Sequence, residues 1–193
     1  VEPQEVLEQL RTAFPKETER AILKMQRAAT ISPTRPVASA YVPNAPKTAW
    51  VERPEQSKVL RLLDTAHAGA EPAKVLLHGI GGIGKTALAA QVAASRRGYF
   101  AERMIQIRLA RRVLDEVLSD LVEAITGSRP QMGTEATWAQ QIRGRLQELQ
   151  PVLLILDDLR MSDEPWCDES VLRCLLDAVV PANVLTTSRG RIA

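Results

Sequence analysis

Gly79, Gly84, Lys85 and Thr86 lie within the run HGIGGIGKTALAA and match the spacing G-x-x-x-x-G-K-[ST]. That spacing suits the grip of a polyphosphate. Consecutive main-chain N–H groups must converge on phosphate oxygens, and side chains would obstruct them. The candidates for these contacts are Gly79, Gly81, Gly82, Ile83, Gly84, Lys85, Thr86 and Ala87. A helix opening at Lys85 adds unpaired donors and the positive end of a dipole. Lys85 would bridge the β- and γ-phosphates, which makes it a catalytic candidate as well, and the Thr86 hydroxyl would ligate Mg²⁺. A strand before the loop and a helix after it set the run apart from a bare glycine-rich turn.

A phosphate loop needs a second strand with a carboxylate for the metal. The apolar run Val152–Leu156 ends in Asp157 and Asp158. Asp157 is the candidate Mg²⁺ acid. Asp158 has two readings: a catalytic group that orients or deprotonates the attacking water, or a solvated carboxylate beyond a strand end. Thr187, Ser188 and Arg189 close the run ANVLTTSR. Ligands bind at the carboxyl edge of open parallel sheets. A guanidinium there would sense a γ-phosphate through planar, multidentate contacts; the alternative is a polar strand exit with an exposed arginine.

The rest of the chain supplies elements to hold these residues. Val59, Leu62 and Leu63 fall at helical spacing, and AKVLLHGI reads as a strand. A helix is predicted from Lys85 to about Arg96, then a strand in AERMIQIRLA. Val113 to Ile125 carry a strong helical stripe that Gly127 stops. A second helix is predicted from Thr137 to about Gln150, with Thr137 and Gln140 at capping-box spacing and Trp138, Ile142, Leu146 and Leu149 on one face. PVLLILDDL reads as a strand buried on both faces. A helix from about Glu169 to Val180 precedes the final strand. His78 is expected to be a packed or hydrogen-bonded strand residue, and His67 to lie in a loop beside Gly69.

This alternation predicts an α/β fold of three layers, an open and mainly parallel sheet flanked by helices. A short helical arm is predicted before it. Val6, Leu7, Leu10 and Phe14 share one helical face, and Ile22, Met25 and Ala29 another, with Pro15 between. Pro33, Pro36, Pro43 and Pro46 then mark an extended linker. The expected division is a helical arm and proline-rich linker over 1–40, and a phosphate-loop domain over 41–193. The chain opens on Val1 and stops just after a strand-like run, so it reads as a piece of something longer.

With 193 residues, 45% apolar and 25% charged, the composition is that of an ordinary globular domain. The net charge of +2 argues against a large nucleic-acid footprint, and acids interleave the paired arginines of ASRRG and RRVLDEVLSD. No apolar run reaches the length of a membrane span. Cys167 and Cys174 lack a second metal-ligating pair and read as buried, reduced thiols, which points to the cytoplasm.

GIGGIGKTALA, LLILDDL and TTSR, in that order, resemble the NB-ARC subgroup of the STAND signalling ATPases, which are P-loop NTPases. The resemblance covers residues 41 to 193. It includes the lead PNAPKTAWVERPEQ, which stands where the family has an aromatic-hydrophobic-Gly-Arg-Glu stretch. By resemblance Val51 would lie against adenine and Arg53 would mark the nucleotide edge. Glu52 stands in place of the usual glycine and Pro54 in place of the usual acid. The family's later helix hairpin, winged helix and nucleotide-locking histidine are not in this sequence.

The resemblance implies a switch. ADP would hold a closed monomer, ATP with Mg²⁺ would favour an open, self-associating state, and slow hydrolysis would reset it. A turnover motor or transport ATPase is the competing expectation; Arg143, Arg145 or Arg173 would then be candidate arginine fingers, or else exposed helix arginines. A third is an adaptor in which residues 1–36 bind a protein partner.

Overall fold

The computed structural model describes residues 50–67, 71–100, 103–130, 132–160 and 166–189. The helical arm and the proline-rich linker lie outside the described residues. Four strands form one parallel sheet: β1 (Lys74–His78), β2 (Met104–Arg108), β3 (Leu153–Leu159) and β4 (Asn183–Ser188). Their spatial order is β1-β4-β3-β2. The helices are α1 (Pro54–His67), α2 (Lys85–Ser95), α3 (Arg97–Phe100), α4 (Leu114–Thr126), α5 (Glu135–Leu149) and α6 (Glu169–Ala178).

Strand side chains alternate between faces, and two apolar cores follow from that alternation. Met104, Leu153, Ile155 and Leu185 pack with Val59, Leu63, Leu88, Val92 and Phe100, which puts α1, α2 and α3 on one face. Ile105, Ile107, Leu154, Leu156 and Val184 pack with the apolar stripes of α4, α5 and α6 on the other. The result is the three-layer α/β sandwich with a parallel sheet that the sequence predicts. β3 is buried along nearly its whole length, as its continuous apolar run requires. α2 carries Ala89, Ala90 and Ala93 among its buried residues, and side chains that small let the helix lie close to the sheet.

Local details correct several expectations. α5 starts two residues early, at Glu135, and its cap is Thr134, whose hydroxyl oxygen accepts from Thr137 N at 3.3 Å. Thr137 is thus inside the first turn rather than the cap. Leu62 is exposed, because α1 buries the i, i+4 pair Val59 and Leu63, with Leu60 half-buried beside them, and turns Leu62 outward. α6 ends at Ala178, and His67 ends α1 instead of lying in a loop. His78 is exposed, at the end of a strand that has one partner among the described residues. Cys167 is exposed and Cys174 half-buried, so neither is a fully buried thiol, though both are unpaired. The turn of helix at α3, set by the buried ring of Phe100, has no sequence signal of its own.

Lys74 ties β1 to the end of α6. Its ammonium donates to the carbonyls of Val179 (3.3 Å) and Val180 (2.8 Å), and to that of Ala182. Partial burial desolvates the ammonium and pulls its pKa from 10.5 down to about 8. The unfolded chain therefore holds more protons between those values, so stability should rise with pH across that window and be lost as pH falls through about 8. Denaturant titrations from pH 7.5 to 10.5 are expected to show this slope in the native sequence and a smaller one in Lys74→Met.

Candidate nucleotide site

β1 ends at His78 and the chain turns at once into the glycine loop, which closes on α2 at Lys85. Gly82 has φ 79° and Gly84 φ 90°, both left-handed, where a Cβ would be strained. Gly84 is the N-cap of α2 and no side chain caps it, so the first-turn N–H groups of α2 are offered to the cavity in front of the loop. The Lys85 ammonium donates to the carbonyls of Gly79 and Ile80, at 2.8 Å each. These loop carbonyls hold the cation at the cavity's edge.

The order β1-β4-β3-β2 puts β4 between the loop strand and the acid strand, and β4 connects them chemically. Thr187 Oγ1 donates to Asp157 Oδ1 at 2.7 Å and accepts from the main-chain N–H of Asp158 at 2.9 Å. Thr86 Oγ1 donates to the same Asp157 oxygen at 2.8 Å. The Thr86 hydroxyl and the Asp157 carboxylate thus converge on one point, as Mg²⁺ would require: cis ligands of an octahedral ion stand about 2.9 Å apart. No group of three or more His, Cys, Asp or Glu suited to a metal occurs among the described residues. Two oxygens from the chain would leave the other positions to phosphate and water, the usual partners of Mg²⁺.

β3 slips register between Leu156 and Leu159, and Asp158 sits in the slip at φ 59°. The packing shows the change of phase. Leu154 and Leu156 face the α4–α6 core, and so does Leu159, which strict alternation would place on the opposite face. The bulge brings both carboxylates to the cavity mouth. Three guanidiniums meet Asp158 there. Arg160 forks onto it (3.2 and 3.1 Å), Arg108 reaches Oδ2 at 3.2 Å, and Arg189 stands at 3.5 Å from Oδ1. Burial raises the Asp158 pKa, but the hydrogen bonds from Arg160 and Arg108 and the charges of Arg160 and Arg189 outweigh it, and the net shift is downward.

Gly81, Gly82, Gly84, Lys85, Thr86, Ala87, Asp157, Asp158, Thr187, Ser188 and Arg189 line one cavity of about 430 Å³ together with Arg108. Gly79 and Ile83 belong to the loop but not to that lining. Ile83 lines a second, neighbouring cavity with Arg53, Leu76, Leu77 and Leu88. Arg53 donates from Nη1 to the Ile83 carbonyl at 2.7 Å and lies 5.6 Å from the Trp50 ring centroid, so the lead segment is strapped to the loop. Val51 is 78% exposed beside that strap.

Over residues 55–192 the sequence matches the model of the NB-ARC domain. The chain belongs to the NB-ARC domain family. No curated protein matches it. Among solved structures the domain is similar to the Orc1 protein of Aeropyrum pernix in complex with DNA, with a TM-score of 0.54 at 21% identity, over 80% of this chain and 42% of that one. It is likewise similar to Cdc6p of Pyrobaculum aerophilum, with a TM-score of 0.54 at 14% identity, over 76% of this chain and 42% of that one. This NB-ARC domain therefore spans less than half the length of either, and identities this low carry over the fold alone. It is a nucleotide-binding module of the P-loop ATPase class.

Arg143, Arg145 and Arg173 of the NB-ARC domain lie outside the cavity lining. Arg143 donates to the Asp177 carbonyl, Arg145 pairs with Glu148, and Arg173 with Glu169, all local contacts of α5 and α6. Arg108 and Arg160 are site residues that sequence reasoning missed. The register of β2 against β3, which sets Arg108 beside Asp157, would have found the first. No pattern in the sequence marks Arg160.

Proposed function

We propose that this NB-ARC domain is the ATP/ADP switch module of a STAND-type signalling ATPase, in which nucleotide exchange and slow hydrolysis control self-association. The supporting observation is the contact of Arg189 with Asp158 at the mouth of the phosphate cavity, close to Gly81. A γ-phosphate arriving there offers Arg189 a second anionic partner. Its contacts then depend on which nucleotide is bound, and that dependence is the minimum a switch needs. In this reading the loop amides and Lys85 hold the β- and γ-phosphates, Thr86 and Asp157 hold Mg²⁺, and Val51 and Arg53 border the base. Bound Mg²⁺ would neutralise charge developing on the phosphates. Asp158 orients the attacking water. A carboxylate braced by guanidiniums is a weak base, which favours slow turnover over the fast cycle of a motor.

The DNA bound by the Aeropyrum protein is a property of that protein and is not carried over. A partner-binding role for residues 1–36 would be tested by deleting them and comparing nucleotide affinity with partner recovery. The switch is tested by denaturing the purified chain to identify any released nucleotide, then measuring mass in solution with ADP and with ATP·Mg²⁺ on the longest available protein. ADP release, and growth in mass with ATP, are expected. Rapid steady-state turnover with no change in mass between nucleotides would exclude the switch.

A further inference from the structure

We propose that Arg108 is a second reader of the terminal phosphate: with Arg189 it clamps the γ-phosphate of a bound nucleoside triphosphate and so sets the preference for triphosphate over diphosphate. This rests on the nucleotide-binding reading above.

The three arginines around Asp158 are not equivalent. Arg160 takes the carboxylate with two nearly equal hydrogen bonds and its side chain is only 21% exposed. That fork is the arrangement in which guanidinium and carboxylate match best. Arg108 comes to the same group from β2 by a single 3.2 Å contact, with its side chain 69% exposed. Arg189 comes from the end of β4 at 3.5 Å, 57% exposed. Arg160 already holds the Asp158 carboxylate by the fork, which leaves Arg108 and Arg189 as the two loosely held arginines at the mouth of a cavity that Asp157 also lines. Exposed single contacts of this kind are worth little, so an anion of higher charge displaces them readily.

Position decides what that anion is. Arg108 lines the same cavity as the glycine loop, and in register it stands beside Asp157, the acid aimed at the metal. In the order β1-β4-β3-β2 it lies beyond both the loop strand and the acid strand. A phosphate tail that begins on the α2 N-terminus and passes Thr86 and Asp157 runs towards Arg108. A diphosphate, one unit shorter, stops before it. Arg108 and Arg189 approach from opposite sides of Asp157 and Asp158, so they would close on a terminal phosphate from two directions.

The test is calorimetric titration of the 193-residue chain with ADP and with a non-hydrolysable ATP analogue plus Mg²⁺. Arg108→Ala is expected to weaken the triphosphate analogue by about tenfold or more, the loss of one charge-assisted contact, while ADP changes by less than about twofold. Arg108→Lys keeps the charge without the fork and should fall between. It also guards against a folding defect in the alanine variant. Equal loss of both nucleotides in both variants, or no loss of either, would overturn the role of Arg108. If the unaltered chain binds neither nucleotide, the nucleotide-binding reading itself fails.

Discussion

Lys85→Ala is expected to weaken ATP by about 100-fold or more and ADP, which lacks the γ-phosphate, by about tenfold or more, with little change in the melting temperature of the nucleotide-free chain. Among the described residues the ammonium bonds to the Gly79 and Ile80 carbonyls of a loop whose tip is exposed, and water replaces it there at little cost. Against phosphates no neutral group replaces it. Each charge-assisted contact contributes about 1.5–3 kcal/mol. Two such contacts correspond to roughly two to four decades in affinity. Titration with fluorescent ADP and ATP analogues reads this directly, and thermal shift with saturating nucleotide gives a second reading, because ligand-induced stabilisation should vanish with the lysine. Affinity retained within about threefold of the unaltered chain would remove the loop from the binding mechanism.

Trp166→Ala should produce the largest loss of stability, about 3–5 kcal/mol. Trp166 is fully buried in the core shared by α4, α5 and α6, and its indole N–H donates to the Leu109 carbonyl at 3.0 Å. Removing it empties a large volume and takes from the Leu109 carbonyl one of its two donors, leaving the Arg112 N–H at 3.2 Å. At roughly 2–4 °C per kcal/mol for a domain this size, the melting temperature should fall by about 10 °C or more. Leu109 follows Arg108 directly, so the indole also fixes the turn that carries the proposed phosphate reader. Trp166→Phe keeps most of the volume and loses the hydrogen bond; a loss of about 1–2 kcal/mol is expected from chemical denaturation. An unchanged transition for the alanine variant would mean the core closes over the gap.

The phosphate side of the site was legible in the sequence because its chemistry is local. Gly79 to Thr86 are consecutive, and their spacing alone implies the loop, its left-handed turns and the helix behind it. Asp157, Thr187 and Arg189 were legible because a strand's polar end is visible from an apolar run. Arg108 was not, because its importance comes from sheet order: its neighbour Asp157 lies 49 positions along the chain and joins it only through β2–β3 pairing. The shared oxygen of Asp157, which takes both Thr86 and Thr187, was hidden for the same reason. The cap of α5 was misplaced because Thr134 and Thr137 both have hydroxyls at a plausible start, and only the backbone distinguishes them. Cys167 was expected to be buried because no second metal-ligating pair accompanies it, and it is exposed; His78 was expected to be a packed or hydrogen-bonded strand residue, and it pairs in register with Ser188 on a strand with one partner among the described residues, which leaves it exposed.

The bulge at Asp158 also narrows what the position will accept. A residue at φ 59° must tolerate the left-handed region, which Asp, Asn and Gly do and branched side chains do not. Only Asp among those brings a negative charge to the surrounding guanidiniums. Mutational drift at 158 is therefore confined from two sides, by main-chain geometry and by arginine neutralisation. Asn is the substitution that separates them: it keeps the turn and removes the negative charge that Arg108, Arg160 and Arg189 share.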